Sequence, residues 1–176
     1  MKYELLLSGI GGQGVITLGE TLCDAAICAG YNVTFVPFYG QEKRGGRTMC
    51  NITISDNIES PIISAADIML IMDERSLNDY QNMMAPTGTM ILNSSMVEAE
   101  PSCAYGTLKK VPFNELALEL GNAKTANVVA MGVLAKYLPE IPYELISVQV
   151  QKSFAAKPKL IDINLKALYK GYSLEI

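Results

Sequence analysis

Tyr3-Glu4-Leu5-Leu6-Leu7-Ser8-Gly9-Ile10-Gly11-Gly12-Gln13-Gly14-Val15 reads as a strand that runs into a glycine-rich turn and then into a helix. The apolar run Tyr3–Leu7 is the strand. Gly9-x-Gly11-x-x-Gly14 is a complete glycine fingerprint. Glycine carries no Cβ and tolerates positive φ, so the backbone turns sharply and a ligand can come close. Val15, Leu18, Leu22, Ala25, Ala26 and Ala29 recur at helical spacing, which predicts a helix from Val15 to Ala29 with Gly30 just past its end. The free N–H groups at the start of that helix suit phosphate or carboxylate.

Tyr31–Pro37 reads as a second strand, and a β-turn-α-β unit predicts that it pairs in parallel with the first. Thr48–Ser55, Ile68–Met72, Thr89–Asn93 and Leu108–Val111 read as further strands. Arg75–Met84 and Pro112–Leu120 read as helices, with Pro86-Thr87-Gly88 as a turn. Helices at 125–138, 143–153 and 158–170 complete the chain. Strands alternating with helices predict an α/β fold: a Rossmann-like, mostly parallel sheet flanked by helices, with a helical C-terminal portion. The expectation is one domain over 1–176, with an α/β core to about 122 and the helical portion from about 123. Ala126–Ala135 is apolar nearly all round. Such a helix is buried on every side, either as a central core helix or partly beneath another chain.

A dinucleotide site needs an acidic residue at the end of strand two to hold the ribose. Thr34-Phe35-Val36-Pro37 offers none, and no GxxxxGK[ST] loop is present. These absences argue against a dehydrogenase and a P-loop ATPase. The 176 residues contain no histidine, which excludes histidine-based acid–base chemistry and every Ser/His/Asp triad. Cys23, Cys28, Cys50 and Cys103 form no CxxC pair, so zinc or an iron–sulfur cluster held by this chain alone is not expected. A net charge of −4 without basic clustering argues against nucleic acid. No apolar stretch is long enough to span a membrane, and the N-terminus reads as a strand rather than a leader, so a cytoplasmic protein is expected.

A second glycine motif, Phe38-Tyr39-Gly40-Gln41-Glu42-Lys43-Arg44-Gly45-Gly46-Arg47, follows strand two. In a parallel sheet it shares an edge with the first loop. Two glycines between two arginines suit an anionic ligand, since arginine matches carboxylate and phosphate bidentately. A solvated loop, with its arginines paired to Glu42 or a neighbouring subunit, is the alternative. Asp73 is expected to cap the helix after it, and Asn93-Ser94-Ser95 to form a turn.

The two motifs together are specific. Gly11-Gly12-Gln13-Gly14-Val15 and Tyr39-Gly40-x-Glu42-x-Arg44-Gly45-Gly46 resemble the gamma subunit of 2-oxoacid:ferredoxin oxidoreductases. The resemblance continues through Ile54-Ser55-Asp56, Ser60-Pro61, Ala66-Asp67, Leu92-Asn93-Ser94-Ser95 and Ala126-Asn127-Val128-Val129-Ala130-Met131-Gly132, nearly the whole chain. Gln41 stands where the family often has proline. Tyr39 and Lys43 stand where the indolepyruvate enzymes usually carry histidine and glutamine. The chain therefore resembles the pyruvate, 2-oxoglutarate and branched-chain group, and within it the 2-oxoglutarate or branched-chain enzymes. The resemblance implies a complex that oxidatively decarboxylates a 2-oxoacid to acyl-CoA and reduces ferredoxin. Its partners would be alpha and beta subunits and a ferredoxin-like delta subunit. Thiamine diphosphate, Mg and iron–sulfur clusters would sit in those other subunits, with coenzyme A as the acyl acceptor. This chain lacks the GDG…N thiamine motif and is expected to be non-catalytic on its own. Gly9, Gly11, Gly12, Gln13, Gly14, Tyr39, Gly40, Arg44, Gly45 and Gly46 are the candidate cofactor-binding residues, at the edge where coenzyme A phosphates would enter. A stand-alone nucleotide-binding regulatory module is the alternative reading.

Overall fold

The computed structural model describes residues 1–42 and 45–176. Its centre is a six-stranded sheet built from β1 (Lys2–Ile10), β2 (Asn32–Tyr39), β3 (Arg47–Ser55), β4 (Ala66–Ile71), β5 (Met84–Asn93) and β6 (Thr107–Val111). The strand order is β2-β3-β1-β4-β5-β6. β1, β4, β5 and β6 run parallel, and only β3 is antiparallel to its neighbours. This is the Rossmann-like α/β architecture that the alternation of elements predicts.

One pairing differs from expectation. β2 does not lie beside β1. The hairpin partner β3 is inserted between them, from Lys2↔Ser55 to Ile10↔Arg47 on one side and Asn32↔Ser55 to Tyr39↔Thr48 on the other. β2 still runs in the direction of β1, so the loop after it opens at the carboxyl edge. The reason is local: consecutive strands joined by a short loop pair antiparallel, and β3 has apolar residues for both sheet faces.

Leu5, Leu6 and Leu7 are all fully buried because helices or loops cover both faces. On one face Leu5, Leu7, Ile52, Ile54 and Leu70 pack on α1 (Val15–Cys28), α3 (Phe113–Glu119), α4 (Ala126–Ala135), α5 (Tyr143–Ser153) and α6 (Ile161–Tyr172). On the other, Leu6, Met69, Ile71 and Leu92 pack on Leu77 of α2 (Glu74–Tyr80) and on the loop residues Ile63 and Val97. α2 is shorter than the expected Arg75–Met84: Gln81–Met83 tightens to a 3₁₀ turn, and Met84 opens β5. Pro86-Thr87-Gly88 lies within β5, at a register shift against β4, rather than in a separate turn.

The apolar α4 is a central core helix. Val128 through Ala135 are buried within this chain, between α1, α3 and α6. No second chain is needed to cover it. Gly132 and Gly171 allow α4 and α6 to meet backbone to backbone: a Cβ on Gly132 would sit 2.7 Å from the Tyr172 amide and 3.0 Å from Gly171 Cα.

Candidate functional site

α1 and α2 follow the neighbouring parallel strands β1 and β4 but leave to opposite faces, which places a crevice at their carboxyl ends. Both glycine loops converge there. Gly11 N donates to Gly46 O at 2.7 Å, and Gly40 N to Arg47 O at 2.6 Å, closing the β2–β3 hairpin beside the first turn. Between the loops lies an open cleft of about 550 Å³. Gly11, Gly12, Tyr39, Gly40, Glu42, Gly45, Gly46, Arg47 and Thr48 line it.

The glycines divide by role. Gly12 and Gly14 have φ of 99° and 72°, which L side chains rarely adopt. Nothing lies within 4 Å of where a Gly12 Cβ would project, so this residue leaves an open cradle. Gly14 is the N-cap of α1; no side chain caps it, and the first turn holds no acidic residue. The positive end of α1 is therefore uncompensated. Gly9 is a packing position, since a Cβ there would meet Val15 Cγ2 at 2.8 Å. Gln13 is a brace: its Oε1 accepts from Ile10 N at 2.8 Å, and its Nε2 donates to Met72 O at 3.2 Å.

At the entry to the second loop, Tyr39 is 67% exposed and lines the cleft. Gly40 and Gly46 are constrained by Glu42, whose Oε2 would lie 2.6 Å and 3.0 Å from a Cβ on each. Gly45 has φ of 64°. Arg44, the expected guanidinium of this loop, and Lys43 lie outside the described residues. Nine of the ten candidate residues thus lie in the two joined loops or, as Gly9 and Tyr39 do, at the ends of the strands that lead into them.

Two members stand outside the candidate cofactor-binding residues. Arg47, the second arginine of the second motif, lines the cleft and pairs with Asp79 of α2 at 2.8 Å. Asn127, near the start of α4, donates from Nδ2 to Gly14 O at 3.3 Å across 113 residues. Its signal was a lone carboxamide in an otherwise apolar helix. Behind the loops, Ser8 Oγ donates to Ser76 Oγ at 3.0 Å, and Ser76 Oγ to Asp73 Oδ1. Asp73 also accepts from Arg75 N and caps α2, as expected. Asn93 does more than turn the chain. Its Nδ2 donates to Met72 O and Asn114 Oδ1, and its Oδ1 accepts from the amides of Ser95 and Phe113.

The chemistry available is that of binding. The two glycine loops line the cleft, the uncapped start of α1 follows the first of them, and the cleft's described charges are Glu42 and the paired Arg47. Among the described residues no three Cys, Asp or Glu side chains gather as a metal-binding group. Burial pushes the Cys23 thiol up to about 12, and Cys50 further the same way, so neither is a ready thiolate at neutral pH. Among the described residues no helix is long and apolar enough to cross a membrane.

Fold and site together define a glycine-loop α/β domain with an open cleft at its carboxyl edge and without the strand-two acid of a dinucleotide site. The chain belongs to the pyruvate ferredoxin/flavodoxin oxidoreductase family, whose model matches residues 4–174. Three curated relatives are similar over almost all of it. The ketoisovalerate oxidoreductase subunit VorA of Methanothermobacter thermautotrophicus is 33% identical over 174 residues, which is 97% of this chain and 36% of that protein. The 2-oxoglutarate synthase subunit KorC of Archaeoglobus fulgidus is 31% identical, covering 98% of this chain and 88% of that one. The indolepyruvate oxidoreductase subunit IorB of the same organism is 29% identical, covering 100% and 96%. The chain thus spans about a third of the length of the VorA relatives it matches. Among solved structures, the gamma subunit of the keto/oxoacid ferredoxin oxidoreductase from Geobacter sulfurreducens superposes with a TM-score of 0.82. It is 26% identical, with 97% of this chain and 96% of that one covered. The 2-oxoglutarate:ferredoxin oxidoreductase of Magnetococcus marinus shares the fold, with a TM-score of 0.87 at 21% identity over 97% of this chain and 30% of that one. The curated relatives and the Geobacter chain are named as subunits of oxidoreductases.

Proposed function

We propose that this chain is the gamma subunit, a single domain over 1–176, of a 2-oxoacid:ferredoxin oxidoreductase. The complex converts a 2-oxoacid and coenzyme A to acyl-CoA and carbon dioxide and reduces ferredoxin. The gamma chain itself is non-catalytic. The chemistry that thiamine diphosphate, Mg and iron–sulfur clusters supply belongs to the alpha, beta and ferredoxin-like delta partners, because this sequence has no histidine and no cluster-type cysteine spacing. Its own part is to help assemble the complex and to hold the coenzyme A phosphates.

The observation that carries this reading is the juncture of the two glycine loops at the uncapped end of α1. Residues fit the group: Gly12 leaves open the space a side chain would fill, and the α1 amides favour a diphosphate. The Magnetococcus enzyme of the same fold is described with coenzyme A bound.

The substrate is 2-oxoglutarate or a branched-chain 2-oxoacid. Supporting this are the relatives named KorC and VorA, and Tyr39 and Lys43 in the second motif. The test is an anaerobic viologen-reduction assay of the complex with 2-oxoglutarate, 2-oxoisovalerate, pyruvate and indolepyruvate. The first two should give the highest kcat/KM, each only with coenzyme A present. Indolepyruvate or pyruvate as the best substrate would overturn the substrate assignment, and turnover independent of coenzyme A would overturn the reaction.

A further inference from the structure

A second crevice, of about 190 Å³, opens on the other side of the Gly11–Gly14 turn. Gly12, Gln13, Met72, Asn114, Lys124 and Asn127 line it, and Gly12 also lines the larger cleft. Gly12 is therefore a crest between two concavities. A ligand whose diphosphate sits on that crest reaches both.

The polar groups of the small crevice are unevenly spent. Gln13 is committed to Ile10 N and Met72 O. Asn114 Oδ1 accepts from Asn93, which leaves its Nδ2 hydrogens free among the described residues. Lys124 makes no ion pair among the described residues, although its backbone amide bonds the Asn122 side chain. Among the described residues it is the crevice's single charged side chain, and no carboxylate lines the space. That is unusual on a chain of net charge −4. A 3₁₀ turn, Ala123–Thr125, capped by the Asn122 side chain, carries Lys124 and leads into α4 with no acidic residue in the first turn of either. Asn114 and Lys124 thus bring a donor and a positive charge to the crevice from two separate segments, which selects an anion.

We infer that this crevice is a phosphomonoester subsite with Lys124 as its cation. Resting on the coenzyme A reading, it takes the ribose 3′-phosphate while the diphosphate lies over Gly12. The volume holds a phosphate with part of a ribose. The flexible pantetheine arm falls to the larger cleft, beside Tyr39. Lys124 thereby sets the preference for coenzyme A over its 3′-dephospho form.

Calorimetric titration of the purified complex with coenzyme A and with 3′-dephospho-coenzyme A tests this, using wild type, Lys124→Ala and Lys124→Arg. Lys124→Ala should weaken coenzyme A about tenfold, the loss of one charge-assisted contact, and leave the dephospho form unchanged. Lys124→Arg should keep most of the preference. Equal effects on both ligands, or on neither, would overturn the subsite. Adenosine 3′,5′-bisphosphate against 5′-AMP separates the two claims. If coenzyme A fails to bind but the bisphosphate binds in a Lys124-dependent way, the subsite stands and the coenzyme A reading falls. If wild type binds none of these ligands, both fall.

Discussion

The amide of Gly11 donates to the carbonyl of Gly46 at 2.7 Å and so welds together two glycine loops that lie 35 positions apart in the chain. A Cβ on Gly11 would sit 3.6 Å from Gly46 O and 3.7 Å from the Gly45 and Gly46 amides, an ordinary contact. Alanine therefore fits, and a larger side chain must push the loops apart. Gly11→Ala should leave the apparent KM for coenzyme A nearly unchanged. Gly11→Leu should raise it about tenfold or more. Steady-state viologen reduction by the complex with coenzyme A varied checks both. An unchanged KM in Gly11→Leu would separate the cleft from coenzyme A.

Gly132 and Gly171 make α4 and α6 inseparable. A Cβ on Gly171 would overlap the Val129 carbonyl and lie 3.0 Å from the Val133 amide. Backbone cannot yield as a side-chain tip can, so Gly171→Ala and Gly132→Ala should each destabilise the chain by about 1–3 kcal/mol or more, the cost of overpacking a filled interior. Urea unfolding followed by circular dichroism measures it, with a lower midpoint at unchanged slope expected.

Much of this was legible beforehand because local rules and packing agree. Apolar periodicity located α1 and α4, Gly30 ended α1 with φ of 93°, and Asp73 capped α2. Other features escaped for a physical reason. That the β2–β3 hairpin docks on β1 through β3 depends on nonlocal hydrogen bonds that no periodicity records. Strand propensity alone did not show that β5 begins at Met84, because Pro86 and Gly88 are turn residues that here sit at a register shift beside β4. At the site, the two glycine motifs announced themselves by composition. The partner of Arg47 and the role of Asn127 did not, since the contacts to Asp79 and Gly14 are made by folding.

The four thiols should react in a definite order. Cys28 is exposed, Cys103 is half-buried, and Cys23 and Cys50 are buried with burial raising both thiols, Cys23 to about 12. At pH 8 a thiol reagent should label Cys28 first and Cys103 more slowly. Cys23 and Cys50 should react only at the rate of unfolding. Mass spectrometry of partly labelled protein identifies the sites.

Burial and a 2.7 Å hydrogen bond to Glu140 push the Tyr3 hydroxyl up to about 12 from its ordinary value of 10.0. The folded state keeps this proton more tightly than the unfolded one. The stabilisation is complete below pH 10 and is lost as pH rises through about 12. Ultraviolet difference titration of wild type against Tyr3→Phe should show one tyrosinate appearing near pH 12 rather than near 10.

Anaerobic affinity purification of this chain from its native host, with mass spectrometry and an absorbance spectrum of the eluate, tests the subunit assignment most directly. Co-purifying partners that carry thiamine diphosphate and a broad iron–sulfur absorbance, with viologen reduction dependent on both a 2-oxoacid and coenzyme A, are the expected result. A colourless, solitary protein from cells that express it would contradict the assignment and leave a free-standing nucleotide-binding module.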